Sequence, residues 1–189
     1  MSTDPRIPLL SLEESAKIAE QAKVLPQMAE LSVFRVLLRQ PVVGKAVQDL
    51  LLALLFRGEL DARLRELVIM RLGWATASCY EWTQHWRVAT ELGLPEADLL
   101  AVRDWRGSDR FDAADRAVLA ATDETLESGS LSAETWAECE ARLGSPKACI
   151  ELVAAIGTWR MISSILRSLQ IPLEDGVEAW PPDGRTPDA

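Results

Sequence analysis

The sequence predicts an all-α protein, a single-domain helical bundle, on three observations. Helix-starting and helix-stopping residues recur along nearly the whole chain. Apolar residues between them fall at three- and four-residue spacing. No stretch alternates apolar and polar residues between turn signals, so no strand is expected.

The elements follow in order. Ser11 followed by Glu14 makes a capping box that opens "LEESAKIAEQAKVL". Pro41 suits the first turn of "PVVGKAVQDLLLALLFRG", with Gly58 past its end. After "ELD" comes "ARLRELVIMRLGWATA", in which Leu64, Leu67, Val68, Arg71 and Leu72 share helical spacing. The segment "CYEWTQHWRVATELG" closes on Gly93, a C-terminal cap. Pro95 starts a short helix, "PEADLLAVRDW", and Asp112 caps "AADRAVLAATDETLES", which stops at Gly129. Ser132 caps "AETWAECEARLG", and Ser145-Pro146 opens "KACIELVAAIGTWRMISSILRSLQ", halted by Pro172. The count is roughly eight or nine helices joined by short loops. The tail "AWPPDGRTPDA" is rich in Pro, Gly and Asp and is expected to fray. The domain boundaries expected are an N-terminal helical extension over 1–29, a helical domain over 30–175 and a flexible tail over 176–189.

Composition narrows the function. A chain of 189 residues with 48% hydrophobic and 26% charged residues reads as one soluble globular domain. A net charge of −9 repels a phosphate backbone, so nucleic acid is not an expected partner. The run "LLLALLF" (50–56) is too short to cross a bilayer, and "MSTDPRIPLLSLEES" lacks the basic start and apolar run of a secretory signal. No membrane association is expected. Cys79, Cys139 and Cys149 form neither a C-x-x-C motif nor an even disulfide set, which suits free thiols in a reducing cytoplasm.

Chemistry concentrates in "CYEWTQHW" (79–86), which holds the sole histidine, His85, and the sole tyrosine, Tyr80. On a helix, Glu81 and His85 are i, i+4 neighbours, and Ser78 lies one turn further back on the same face. Such a stripe can hold a carboxylate against an imidazole. If the preceding helix folds back as an antiparallel hairpin, Glu66 reaches His85 and fixes its tautomer. Two blander readings compete. Ser78-x-x-Glu81 is also a capping box, and a lone helical histidine is often purely structural. Trp82 and Trp86 either wall a pocket or pack in the core or a subunit interface. One histidine and no His/Cys cluster argue against a metal site, and no nucleotide-binding or serine-hydrolase motif is present.

The run "RELVIMRLGWATASCYEWTQHWRVATELGL" (65–94) resembles the carboxymuconolactone decarboxylase family, which includes the alkylhydroperoxidase D-like proteins. The likeness extends over about residues 30–175, through "FDAADRAVLAATDETLESGSLSAETWAEC" and "ELVAAIGTWRMISSILRSLQIPLE", to a branch with a Tyr-Glu-Trp-x-x-His element. The resemblance implies the helical fold of that family and a homo-oligomer, a trimer or hexamer and sometimes a dimer. In the peroxidase branch a glutamate, a C-x-x-C pair and a histidine form the thiol site. Glu66 and His85 match the glutamate and histidine, whereas Ser78 and Glu81 occupy the cysteine positions, and Cys79 sits one place off. That departure opposes peroxide reduction by a dithiol route.

The expectation is therefore a cofactor-independent enzyme, without metal, performing decarboxylation or a related proton transfer on a small organic acid or lactone. His85 serves as general acid or base, Glu66 orients it, and Glu81 is a second proton carrier. Tyr80, Ser78 and Trp82 contact the substrate, and Arg71 or Arg160 neutralises its carboxylate, either arginine reading equally well as a structural ion pair. The alternatives are a thiol-dependent peroxidase using Cys79 alone, and a non-catalytic oligomeric ligand-binding protein.

Overall fold

Side-chain caps and prolines set where most helices begin. In the computed structural model, which describes residues 4–179, 183 and 185, Ser11 Oγ accepts the Glu14 N–H while Glu14 Oε2 accepts the Ser11 N–H, opening α1 (Leu12–Ala22). Short helices α2 (Pro26–Ala29) and α3 (Ser32–Leu37) follow, then α4 (Pro41–Phe56), with its proline in the first turn. Asp61 Oδ1 accepts from the N–H groups of Arg63 and Leu64 at the start of α5 (Ala62–Ala75). Next come α6 (Cys79–Glu91), α7 (Glu96–Ala101) and a 3₁₀ segment, Val102–Gly107. Asp112 caps α8 (Ala113–Ser128), Ser132 caps α9 (Ala133–Leu143), and α10 runs Pro146–Leu169. All ten α-helices and the absence of strands among the described residues agree with the all-α expectation.

Local boundaries differ from the sequence reading where no strong signal stood. Helix α1 stops at Ala22 because Lys23 turns left-handed (φ 58°), so "KVL" leaves the helix. The "PEADLLAVRDW" helix breaks into α7 and the 3₁₀ segment, with Asp104 off helical geometry. The expected frayed tail falls largely outside the described residues.

The chain divides into two compact units, 1–57 with 164–177, and 58–163 with 178–189. In the first unit, Ser15 Oγ donates to the Ala29 carbonyl (2.7 Å), and Glu174 Oε1 accepts the Ser32 N–H (2.8 Å). Phe34, Leu38 and Ala19 are buried there. One side of α4 remains apolar and open: Val42 is 78% exposed and Phe56 75%.

The second unit is built on α5, which packs against α6 and α8, while α9 packs on α8. Its core joins Leu67 and Met70 of α5 to Trp82, Trp86 and Ala89 of α6. Arg63 pairs with Asp98 (2.8 Å) and Asp115 (2.9 Å), and Glu151 Oε2 accepts both the Glu59 and Leu60 N–H groups at 2.7 Å. Helix α10 is long and apolar enough to cross a membrane by composition, but half of its most apolar window is already buried within the protein. That is also the pattern of a core helix.

Candidate active site

The α5–α6 hairpin that builds the site turns on a tight backbone motif. Ser78 N–H reaches the Gly73 carbonyl (2.9 Å) and Ala77 N–H the Trp74 carbonyl (3.0 Å), the double bond of a Schellman cap. The left-handed residue is Ala77 (φ 52°), where glycine is usual. At Gly73, a Cβ would stand 3.1 Å from the Trp82 backbone nitrogen and 3.5 Å from Glu81 Cβ. Glycine therefore lets α6 lie close to α5 at the position that carries Glu81.

This close approach brings the two acids and the histidine together. Glu66, completely buried, faces His85 with Oε2 2.7 Å from Nδ1, and its Oε1 accepts from Arg65 Nε at 3.1 Å. On the other side of the ring, Glu81 Oε2 lies 3.6 Å from His85 Nε2. Trp159 of α10, 1% exposed, donates its indole N–H to the same Nε2 at 3.0 Å. The two rings meet edge to face, with centroids 5.6 Å apart. An indole nitrogen is only a donor, so Nε2 must offer its lone pair, and Nδ1 carries the proton that Glu66 accepts. The imidazole is fixed as one tautomer at both ends.

Burial and charge tune the groups in opposite directions. For Glu66, burial alone would raise the pKa, but the His85 imidazole and the Arg65 guanidinium outweigh it and hold the carboxyl below its ordinary value. Glu81 is pushed up to about 7, first by burial, with the negative charge of Glu66 adding to it. Burial opposes protonation of His85, yet the carboxylates of Glu66 and Glu81 prevail and raise its pKa. Glu81 is therefore an acid poised near neutrality, beside an imidazole whose charge is favoured by two carboxylates.

The competing cap reading of Ser78 and Glu81 does not hold in the structure. Ser78 begins α6 but its side chain makes no capping bond, and Glu81 instead faces His85. Ser78 Oγ is buried without a hydrogen-bond partner, an unmet polar group beside the hairpin turn. Other expectations require correction. Trp82 is 1% exposed and packs between Trp74 (5.3 Å) and Trp86 (6.0 Å) in the hydrophobic core, where its ring is not offered to a ligand. Arg71 is occupied by Asp123 and by the carbonyls of Val102 and Arg103. Arg160 donates to the Thr125 carbonyl. Both arginines line a depression with Arg106 and Asp123 that includes none of Glu66, Glu81 and His85. Asp123 already supplies the carboxylate that Arg71 was expected to find in a substrate. Tyr80 is buried on α6.

Sequence reasoning missed Arg65 and Trp159. Arg65 stood beside Glu66 in the quoted motif, and its burial was the missing information. Trp159 is 74 residues from His85 in sequence, and nothing local marks it as a partner. No group of three or more His, Cys, Asp and Glu side chains with metal-holding geometry occurs among the described residues.

Comparison with known proteins identifies the scaffold. Residues 41–124 match the model of the carboxymuconolactone decarboxylase family. Among solved structures, an uncharacterised peroxidase-related protein with an alkylhydroperoxidase AhpD core, from Ralstonia eutropha JMP134, aligns with a TM-score of 0.73 at 14% identity, covering 90% of this chain and 93% of that one. The debrominase Bmp8, a cysteine-to-alanine variant in complex with 2,3,4-tribromopyrrole, aligns at 0.65 with 20% identity, covering 87% and 86%. A protein of unknown function from Agrobacterium tumefaciens, described as a candidate antioxidant defence protein AhpD, aligns at 0.62 with 22% identity, covering 69% and 90%. At such identities the likeness is one of fold. No curated protein matches. The matched stretch holds Glu66, Glu81 and His85, and over it the chain is similar to the carboxymuconolactone decarboxylase family, on an AhpD-like all-α fold.

Proposed function

We propose that the protein is a cofactor-independent enzyme of the cytoplasm that moves a proton on a small organic acid or lactone, by decarboxylation or a related isomerisation. The observation that carries this reading is the His85 imidazole held by buried Glu66 at one nitrogen and faced at the other by Glu81, whose carboxyl is pushed up to about 7. A proton carrier with a pKa near the working pH is what general acid–base catalysis needs. In a decarboxylation, the C–C bond to the leaving carboxylate breaks and its electron pair stays on the substrate carbon. Protonated Glu81 or His85 then supplies the hydrogen for the new C–H bond. Glu66 keeps its charge and orients the ring. The unpartnered Ser78 hydroxyl supplies a donor for a substrate oxygen.

A thiol route finds less support. Cys79 Sγ lies 3.9 Å from Thr83 Oγ1, and α6 contains no second cysteine. Burial pushes the Cys139 thiol up to about 11 and raises Cys149 as well, away from the reactive thiolate. The tribromopyrrole in the debrominase complex recommends small cyclic molecules alongside lactones as first candidates. The test is a turnover screen of lactones, small carboxylic acids and hydroperoxides with the wild type, His85→Gln and Cys79→Ser. Turnover of an acid or lactone that depends on His85 and survives Cys79→Ser is expected. Peroxide turnover lost in Cys79→Ser would overturn the reading.

A further inference from the structure

Trp159 places one donor between two proton acceptors. Its indole N–H is 3.0 Å from His85 Nε2 and also favours the charged form of the Glu81 carboxyl, while those two acceptors are 3.6 Å apart. The remaining charged groups facing the imidazole are Glu66 and Arg65, both on α5. Glu66 is already committed to Nδ1, so any proton exchanged at this ring passes through Nε2.

We infer that Trp159 is a positioning residue whose single N–H serves whichever of His85 Nε2 and Glu81 lacks a proton, allowing the proton to pass between them. The inference rests on the proton-transfer reading of the same site. With the proton on Glu81, the indole donates to the free lone pair of Nε2, the arrangement observed. When the proton moves, the Glu81 O–H bond breaks, its electron pair stays on the oxygen, and an Nε2–H bond forms. The imidazolium then faces the new carboxylate, and the indole N–H turns to Glu81. Total charge is unchanged, and one acceptor is always served. Only when both groups are protonated is the indole left with the weakest acceptor, the carbonyl oxygen of a neutral carboxyl.

That asymmetry makes a specific prediction. Removing the N–H destabilises the one-proton and no-proton states alike, relative to the two-proton state. The step from two protons to one therefore moves to higher pH, and the step from one to none stays in place. The loss of one buried hydrogen bond is expected to shift the first step by about one pH unit.

The sole histidine makes the measurement direct, because ¹⁵N-histidine labelling reports one imidazole. Wild type and Trp159→Phe are titrated by ¹⁵N NMR. The expected wild-type spectrum at high pH has a protonated Nδ1, a bare Nε2 and a through-hydrogen-bond coupling from Nε2 to an indole nitrogen. In Trp159→Phe the coupling disappears, and only the more acidic transition rises. Equal movement of both transitions, or of neither, overturns the inference. If the variant does not fold, the wild-type coupling decides alone, and its absence at every pH overturns the inference. The readout needs no substrate, so a failed turnover screen leaves this result standing and refutes only the proposed reaction.

Discussion

Helices α4 and α5 look alike in sequence and are used in opposite ways. Both are rich in leucine, and α5 carries Arg65 and Glu66 in its first half. Yet α5 buries both charged residues beside Leu67, Val68, Ile69 and Met70, whereas α4 leaves Val42, Val43, Leu50 and Phe56 open to solvent. Burying a charge costs several kcal/mol unless it is paired, so a fold retains one where pairing is complete or chemistry requires it. Glu66 has both His85 and Arg65. An open apolar stripe, by contrast, is a candidate for cover by a second copy of the chain, and a homo-oligomer is proposed on that ground. The lesson is that polarity in the interior and its absence at the surface are both departures from the ordinary pattern, and each points to a function.

The sharpest way to break the contrast is to remove the group that gives the buried charge its purpose. His85→Gln is expected to lower turnover of whatever substrate the screen finds by roughly 10²–10⁴-fold while the helices stay folded. Steady-state kinetics with circular dichroism checks both halves. A fully active variant places the chemistry elsewhere.

The next effect concerns pH. The folded-state pKa of Glu81 is raised from 4.5 to about 7, so ionising it opposes folding. Its contribution to stability is fully present below pH 4.5 and is lost as pH rises towards 7 and beyond. Glu81→Gln has no such loss. Its stability relative to wild type should therefore improve by about 2 kcal/mol between pH 5 and pH 8, measured by denaturant titration at each pH. A constant difference across that range contradicts the raised pKa.

A smaller gain is expected at the hairpin turn. Ala77 holds a positive φ that disfavours a Cβ, so Ala77→Gly should stabilise the protein by about 0.5–1 kcal/mol. Thermal unfolding reads the result, and a loss of stability would mean that the alanine methyl contributes more than the strain removes.

The smallest change in protomer stability belongs to the open face. Val42→Lys with Phe56→Ser should alter it by about 0.5 kcal/mol or less, since surface substitutions away from special features usually do. The same pair is expected to shift light-scattering mass towards the monomer. If the wild type is itself a monomer at micromolar concentration, the assembly expectation fails.

Legibility in the sequence followed the range of the interactions. Ser11, Asp112 and Ser132 cap helices through bonds to residues two or three positions away, so their elements were readable. Gly129 and Gly144 end helices in the same local manner. Short α2 and α3 were not readable, because each is too brief for apolar periodicity to accumulate. In the site, the i, i+4 relation of Glu81 and His85 followed from helix geometry, and Glu66 from the hairpin. Sequence alone left Arg71 and Arg160 open between a substrate carboxylate and a structural ion pair. A guanidinium's partner is chosen by tertiary packing, and Asp123 lies 52 residues from Arg71.

The distance in sequence between His85 and Trp159 also sets the order in which a growing chain can complete the site. Glu66, Glu81 and His85 are synthesised within one hairpin, but the indole that faces Nε2 arrives 74 residues after the histidine. Glu151, on the same late helix, is what satisfies the Glu59 and Leu60 N–H groups far upstream. Until α10 leaves the ribosome, the hairpin carries Glu66 and Glu81 with the Nε2 side of His85 unclosed. A product truncated before residue 146 thus retains the three acid–base side chains without the helix that encloses them, and is a ready client for chaperones and proteases.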